Sequence, residues 1–169
     1  MAKAKSAVPA GFHTVTPHLI LDNAAEAIDW YKRALGADEV GPRALGPDGK
    51  IMHAEIRVGN SILMLNDAMG GGRSAKTISG SPIGLWVYVE DCDGLYRRAV
   101  AAGAQVPPGP MSALADQFWG DRTGTVLDPY GYTWTFATRK EDLAPDEVKQ
   151  RMEAFMKQFA HQQPTPTTV

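Results

Sequence analysis

AAEAIDWYKRALG, residues 24–36, is the stretch on which the fold turns. Ala25, Ile28, Tyr31 and Leu35 recur at helical steps, which predicts an amphipathic helix with one apolar face. Asp22 or Asn23 stands where an N-cap is needed, and Gly36 follows the last apolar position as a stop signal. Upstream, TVTPHLIL over 14–21 carries the β-branched bias of a strand, with Pro17 marking an edge or a special position. Downstream, strands are predicted over 38–45, 51–58 and 61–66. Pro47, Asp48 and Gly49 turn between the first two, and Gly59 with Asn60 makes a tight hairpin between the second pair. The element order is βαβββ.

That order then starts again. A strand over 84–89 leads to a helix capped by Asp91 or Asp93 and running to about residue 102, with Gly94 a weak point inside it. Strands over 105–111, 122–127 and 133–139 follow. Tyr31, Lys32, Arg33 and Ala34 are echoed by Tyr96, Arg97, Arg98 and Ala99, as Gly36 and Ala37 are by Gly103 and Ala104. Between the halves, DAMGGGRSAKTISGSP has no apolar period and reads as a mobile connector. Past Leu143, Pro145 opens a helix with Asp146 and Glu147 in its first turn. Its stripe of Val148, Met152, Phe155, Met156 and Phe159 packs on the domain or on a second subunit. The expected division is a flexible N-terminus over 1–12, a first module over 13–66, a linker over 67–82, a second module over 83–140, a C-terminal helix over 141–161 and a disordered tail over 162–169. The fold class is α+β, two tandem βαβββ modules plus a C-terminal helix.

Composition narrows the function. The 169 residues include 17 Lys and Arg against 19 Asp and Glu, a net charge of −2 without the basic excess that phosphate neutralisation requires, so nucleic acid is not an expected partner. One cysteine, Cys92, leaves no intrachain disulfide and no thiolate cluster, and no nucleophile motif surrounds it. No apolar run is long enough to span a membrane and the first eleven residues lack a signal-like apolar core, which predicts a cytoplasmic protein.

The doubled βαβββ order, Ile28 to Tyr31 ahead of Leu35, Gly36 and Ala37, and Asp128, Pro129, Tyr130, Gly131 and Tyr132 before the last strand together resemble the vicinal oxygen chelate superfamily. That group contains glyoxalase I, bleomycin-resistance proteins and extradiol dioxygenases. Ile51, Met52, His53, Ala54 and Glu55, with Phe118, Trp119, Gly120, Asp121 and Arg122, resemble its PhnB-like branch more narrowly. The resemblance covers about residues 14–140 and implies curved mixed sheets around a cavity, in a homodimer. Because many chemistries share the scaffold, activity has to be argued from the site.

In metal-dependent members of that superfamily four strand positions carry ligands. The resemblance places them here at Thr16, Met64, Gly84 and Thr135, with His18 reached by a shift of two residues. None of the four is His, Asp or Glu, which divalent ions need, so no metal and no cofactor is expected. An alternative set is conceivable, since His53 and Glu55 alternate onto one strand face and His18 lies on the first strand. Solvated polar residues on a half-buried strand give the same letters.

Strand alternation puts Gly84, Trp86 and Tyr88 on one face, Ile62, Met64 and Asn66 on another, and Thr133, Thr135 and Ala137 on a third. They form either the aromatic and thioether wall of a small-molecule pocket or a filled interior. Trp119 offers a stacking surface and one N–H. Asp121 and Arg122 either orient a polar ligand or, respectively, cap a turn and pair with each other. His13 and His161 read as solvated. The expected ligand-binding set is Thr16, Met64, Trp86, Tyr88, Trp119, Asp121, Arg122 and Thr135. The expected function is metal-independent binding or sequestration of a small molecule. The alternative is a lyase, isomerase or oxygenase-type enzyme that uses a non-standard metal site or acid/base work by His18, His53 or Glu55. A methyltransferase, a label attached to PhnB-like sequences, is set aside because Gly70, Gly71 and Gly72 are not followed by a convincing helix.

Overall fold

The computed structural model describes residues 3–162, with side chains as far as residue 158. Residues 1–2, the tail from 163 onward, and the side chains of Phe159 and His161 lie outside the described residues, so the expectations placed on them are not taken further.

Two modules repeat the predicted order. The first consists of β1 (His18–Leu21), α1 (Ala24–Leu35), β2 (Asp38–Glu39), β3 (Ala44–Leu45), β4 (Ile51–Val58) and β5 (Ser61–Asp67). The second consists of β6 (Gly84–Tyr88), α2 (Cys92–Ala101), β7 (Ala115–Asp116), β8 (Asp121–Leu127) and β9 (Thr133–Arg139), and α3 (Pro145–Gln162) follows it. Within each module the first strand lies parallel to the last, β1 beside β5 and β6 beside β9. The other strand pairs are antiparallel, and the sheets run β1-β5-β4-β2 and β6-β9-β8-β7.

Local chemistry sets these boundaries. Asn23 caps α1, its Oδ1 accepting the Glu26 amide at 3.2 Å while Glu26 reaches back to its side-chain amide. Gly36 ends the helix at φ +69°, a left-handed conformation that glycine enters without penalty. The buried Asp67 carboxylate ties this module together by accepting the amides of Ala24 at 2.6 Å and Ile51 at 2.7 Å.

Three strand predictions are corrected. The run over 14–21 pairs only from His18, since Pro17 has no amide to give to a ladder. The run over 38–45 is two short pieces that both pair with β4, broken around Gly41 at φ +68°. The run over 105–111 contributes one bridge, Gln105 to Leu127, because Pro107, Pro108 and Pro110 cannot donate; Ala115–Asp116 takes the edge beside β8 instead. The connector is also more ordered than its composition implies. The Ser74 hydroxyl accepts the Thr77 amide at 3.1 Å within a short 3₁₀ helix over Lys76–Ile78, and the Ser81 amide bonds the Gly131 carbonyl at 3.1 Å.

A single core lies between the sheets and helices α1 and α2. α1 and α2 pack on each other, with the Trp30 indole N–H donating to the Ala102 carbonyl at 2.8 Å and Arg98 donating to the Ala34 carbonyl at 2.8 Å. At its centre the Asp128 carboxylate accepts from Tyr31 Oη, Trp134 Nε1 and the amides of Tyr130 and Tyr132. The Tyr132 hydroxyl accepts the Ile20 amide and donates to the Ile20 carbonyl, fastening β1 of one module to the other. Burial of one sheet face per module leaves the opposite face open. The two mixed sheets, of five and four strands, are not closed, and strands β5 and β6 border a groove between them, as expected of curved sheets around a cavity.

Candidate functional site

The open faces carry most of the candidate residues. On the first sheet, the register aligns His18 with Met64 and Met64 with Glu55, one row across three strands. His53 lies two residues from Glu55 on the same strand face, and its Nε2 is 3.0 Å from Glu55 Oε1. Asn66 lies further along the same face as Met64. Its side-chain amide donates to the Asp67 carbonyl at 2.7 Å, while its Oδ1 is buried without a hydrogen-bond partner among the described residues.

On the second sheet, Trp86 aligns with Thr135 and Thr135 with Thr125, and the two threonine hydroxyls are 2.9 Å apart. Tyr88 aligns with Ala137. Trp86 is 49% and Tyr88 62% exposed, which is unusual for side chains whose favourable burial is large. Trp119 completes the patch. Its ring centroid is 6.3 Å from that of Trp86, and Trp86 is 6.4 Å from Tyr88, all tilted against one another. Behind Trp119, Phe118 makes an edge contact at 4.8 Å and stacks on Phe155 of α3 at 5.6 Å.

Asp121 holds this patch. It is 1% exposed, and its Oδ2 accepts the Tyr88 hydroxyl at 2.8 Å and the Trp119 indole N–H at 2.9 Å, while its Oδ1 accepts Arg139 at 3.1 Å. The hydrogen bond to that carboxylate, with some burial, pushes the Tyr88 phenol above its ordinary pKa. Gly120 permits the approach: at φ +93° a side chain there would meet the Glu141 carbonyl oxygen at 2.5 Å, and the Gly120 carbonyl accepts the amides of Lys140 and Glu141. A groove of about 510 Å³ runs from the patch along β6 to the Gly59–Asn60 turn, with Val15, Ile62 and Leu85 among its walls.

Not every expected residue joins this face. Thr16 precedes β1, and its hydroxyl donates to the His13 carbonyl at 3.1 Å, so His18 is the residue beside Met64. Gly84 aligns with Thr133, and the partner of Thr135 is Trp86. Arg122 does not pair with Asp121. Neighbours along a strand point to opposite faces, and Arg122 turns toward α2, where it grips Asp93 at 2.6 and 2.9 Å and Asp116 at 3.1 Å. Arg139 was missed by sequence reasoning, although it shares strand parity with Thr135 and Ala137.

The Arg122 pair makes a prediction of its own. The Arg122 guanidinium lowers the Asp93 carboxyl below its ordinary pKa. The contribution of such a pair is complete above the unfolded pKa of about 3.9 and is lost as pH falls through the lower folded value. Arg122→Gln is expected to cost about 1 kcal/mol at pH 7 and progressively less as pH falls below the unfolded pKa of about 3.9, measured by urea denaturation. A variant as stable as the parent that has lost a bound small molecule would instead put the guanidinium at the ligand.

Donor chemistry can be tested at the four aligned strand positions. His18 supplies an imidazole, Met64 a thioether, Trp86 no lone pair, and Thr135 a hydroxyl already bonded to Thr125. One donor in four suits a zinc or manganese ion, so this set does not fit the superfamily's metal. Among the described residues no three His, Cys, Asp or Glu side chains cluster closely enough to hold one elsewhere.

Known proteins share the family and the fold. A family model described as Glyoxalase/Bleomycin resistance protein/Dioxygenase superfamily matches residues 11–136. The uncharacterized protein Rv0887c of Mycobacterium tuberculosis is 41% identical over 143 residues, covering 82% of this chain and 81% of that one. Among solved structures, an Arabidopsis thaliana gene product, At5g48480, is 28% identical at a TM-score of 0.59, covering 75% of this chain and 98% of its own. The bleomycin resistance determinant encoded on transposon Tn5 shares the fold at 20% identity and a TM-score of 0.55, covering 76% and 99%.

Proposed function

The chain belongs to the Glyoxalase/Bleomycin resistance protein/Dioxygenase superfamily, and from that premise we propose that it binds or sequesters a small molecule without a metal, in the cytoplasm and as a homodimer. The observation that carries this reading is the patch of Trp86, Tyr88 and Trp119, half-exposed and held in place by a buried carboxylate. Packed aromatic side chains normally go to the core. Three of them fixed at an open sheet face, beside a groove of about 510 Å³, have the size and polarity balance of a small-molecule wall. A planar or cationic ligand gains most from such a surface. The strand positions that hold metal in other members carry one usable donor here, which supports binding without an ion.

A second copy is the proposed cover. One chain leaves both open faces to solvent, and exposed Met52, Trp86 and Tyr88 are apolar area that association removes from water. No described helix is long and apolar enough to cross a membrane.

Native mass spectrometry of protein purified without chelator or affinity metal tests the whole reading. The expected spectrum is a metal-free dimer with a retained organic adduct. Trp119→Ala is expected to weaken adduct binding about five- to thirtyfold, seen as reduced occupancy, while the chain stays folded, since stacking on one aromatic is worth about 1–2 kcal/mol. A stoichiometric divalent ion, or unchanged occupancy in the variant, overturns it. The His53–Glu55 contact favours a second reading, acid/base chemistry by an orienting carboxylate and its imidazole, with His18 one strand beyond Met64. Turnover of the retained molecule that disappears in His53→Gln would select that reading.

A further inference from the structure

A smaller cavity of about 240 Å³ adjoins the groove along β6, sharing Pro17 and Leu85 with it, where β1, β6 and the segment over 73–83 converge. Its walls are almost wholly apolar, with Leu19, Ile20, Ala75, Ile78, Ile83 and Leu85 prominent among them. The phenol of Tyr132 also lines it, but that hydroxyl is committed to the Ile20 amide and carbonyl, so it makes no polar demand on an occupant. Two basic side chains border the cavity, Arg73 from the connector and His18 from β1. Neither makes a side-chain hydrogen bond or ion pair among the described residues, and no carboxylate lines the cavity.

We propose that this cavity is a second binding site, for a monocarboxylic acid with an apolar tail. The volume decides the tail. A dry cavity of about 150 Å³ takes a benzene ring, so about 240 Å³ takes a chain or ring of roughly eight carbons. The charge decides the head. A planar guanidinium binds a carboxylate through two parallel hydrogen bonds, and among the described residues Arg73 is the permanent cation in the lining, with the His18 imidazole available as a further donor. A dicarboxylate would leave its second charge against apolar walls, where an unpaired ion is strongly disfavoured. The connector, a Gly-rich stretch with no apolar period, thus has a use: its 3₁₀ helix presents Ile78 as part of the wall, and Arg73 stands just ahead of it.

Titration with octanoate, followed by calorimetry and by methyl chemical shifts, tests the site. Octanoate is expected to bind with shifts centred on Leu19, Ile78 and Ile83 rather than on the Trp86 indole. 1-Octanol, the same chain without the charge, is expected to bind at least tenfold more weakly, and propionate not to bind. Arg73→Gln, in an exposed loop, should weaken octanoate tenfold or more with an unchanged melting midpoint. Ile78→Trp, which fills the cavity from a half-exposed position, should abolish binding. Absence of octanoate binding at millimolar concentration overturns the site. So do equal affinities for octanoate and 1-octanol, or full octanoate affinity in folded Arg73→Gln or Ile78→Trp.

Discussion

Asp128→Ala is expected to remove about 4 kcal/mol of stability, roughly a 12 °C fall in melting midpoint for a chain of this size. The carboxylate is 3% exposed and accepts four hydrogen bonds, from Tyr31 Oη at 2.9 Å, Trp134 Nε1 at 2.8 Å and the amides of Tyr130 and Tyr132 at 2.9 Å each. Alanine leaves all four donors in a dry interior with nothing to accept them, and each stranded donor costs about 1–3 kcal/mol before relaxation. Asp128→Asn separates shape from charge. Its oxygen still serves the two amides, and Tyr31 can turn to accept, but the side-chain NH₂ faces the indole N–H of Trp134, so a loss near 2 kcal/mol is expected. Burial pushes the Asp128 carboxyl above its ordinary pKa, the four donors opposing it only in part. Its unfolded counterpart gives up the proton first as pH rises, so this group's contribution is greatest below about pH 4 and shrinks as pH climbs through the folded value. Parent and Asp128→Asn, compared by urea denaturation between pH 3 and 7, should therefore differ in slope. A loss below 1 kcal/mol in the alanine variant would show that the network is dispensable.

The tandem fold could be read because it rests on signals a single chain displays. Helical spacing from Ala25 to Leu35 and the cap pair around it are local, and so are the Gly59–Asn60 hairpin and the strand alternation that puts Trp86 and Tyr88 on one face. What escaped reading depends on partners far along the chain. Asp121 meets Arg139 across the β8–β9 ladder and Tyr88 from a strand 33 residues away, and no spacing rule connects them. Asp121 and Arg122 invite pairing as adjacent letters, yet the pleat sends them to opposite faces. Proline decided two other differences: Pro17 starts the first strand at His18, and the Pro107 to Pro110 run denies the second module a full edge strand. The connector shows the converse error. Its glycines argue for freedom, while Ser74 and the contact of Ser81 with Gly131 hold part of it against the second module.

Asp121→Ala is expected to do two things together: destabilise the chain by about 3 kcal/mol and abolish retention of a bound small molecule. Removing the buried carboxylate empties its site and takes a partner from the Trp119 indole N–H and the Tyr88 hydroxyl, while Arg139, half exposed, keeps Asp142 and the Trp119 carbonyl. Stability alone cannot distinguish a positioning residue from an ordinary core residue, so Asp121→Asn carries the argument. The amide keeps the volume and one acceptor, and the fold should hold within about 1–2 kcal/mol. It gives up the negative charge, however, and the upward push on the Tyr88 phenol comes first from its bond to that carboxylate. The Tyr88 phenol is therefore expected to titrate at lower pH in Asp121→Asn, visible as a difference in phenolate absorbance while the other tyrosines are unchanged. If the aromatic patch is the ligand wall, adduct occupancy should fall along with that shift, because a loosened Tyr88 and Trp119 must be ordered again each time a ligand binds. A downward Tyr88 shift with full occupancy would assign Asp121 to the fold and remove it from the site. An unmoved Tyr88 would mean that the hydroxyl and the carboxylate do not meet in solution, and the patch would lose its anchor.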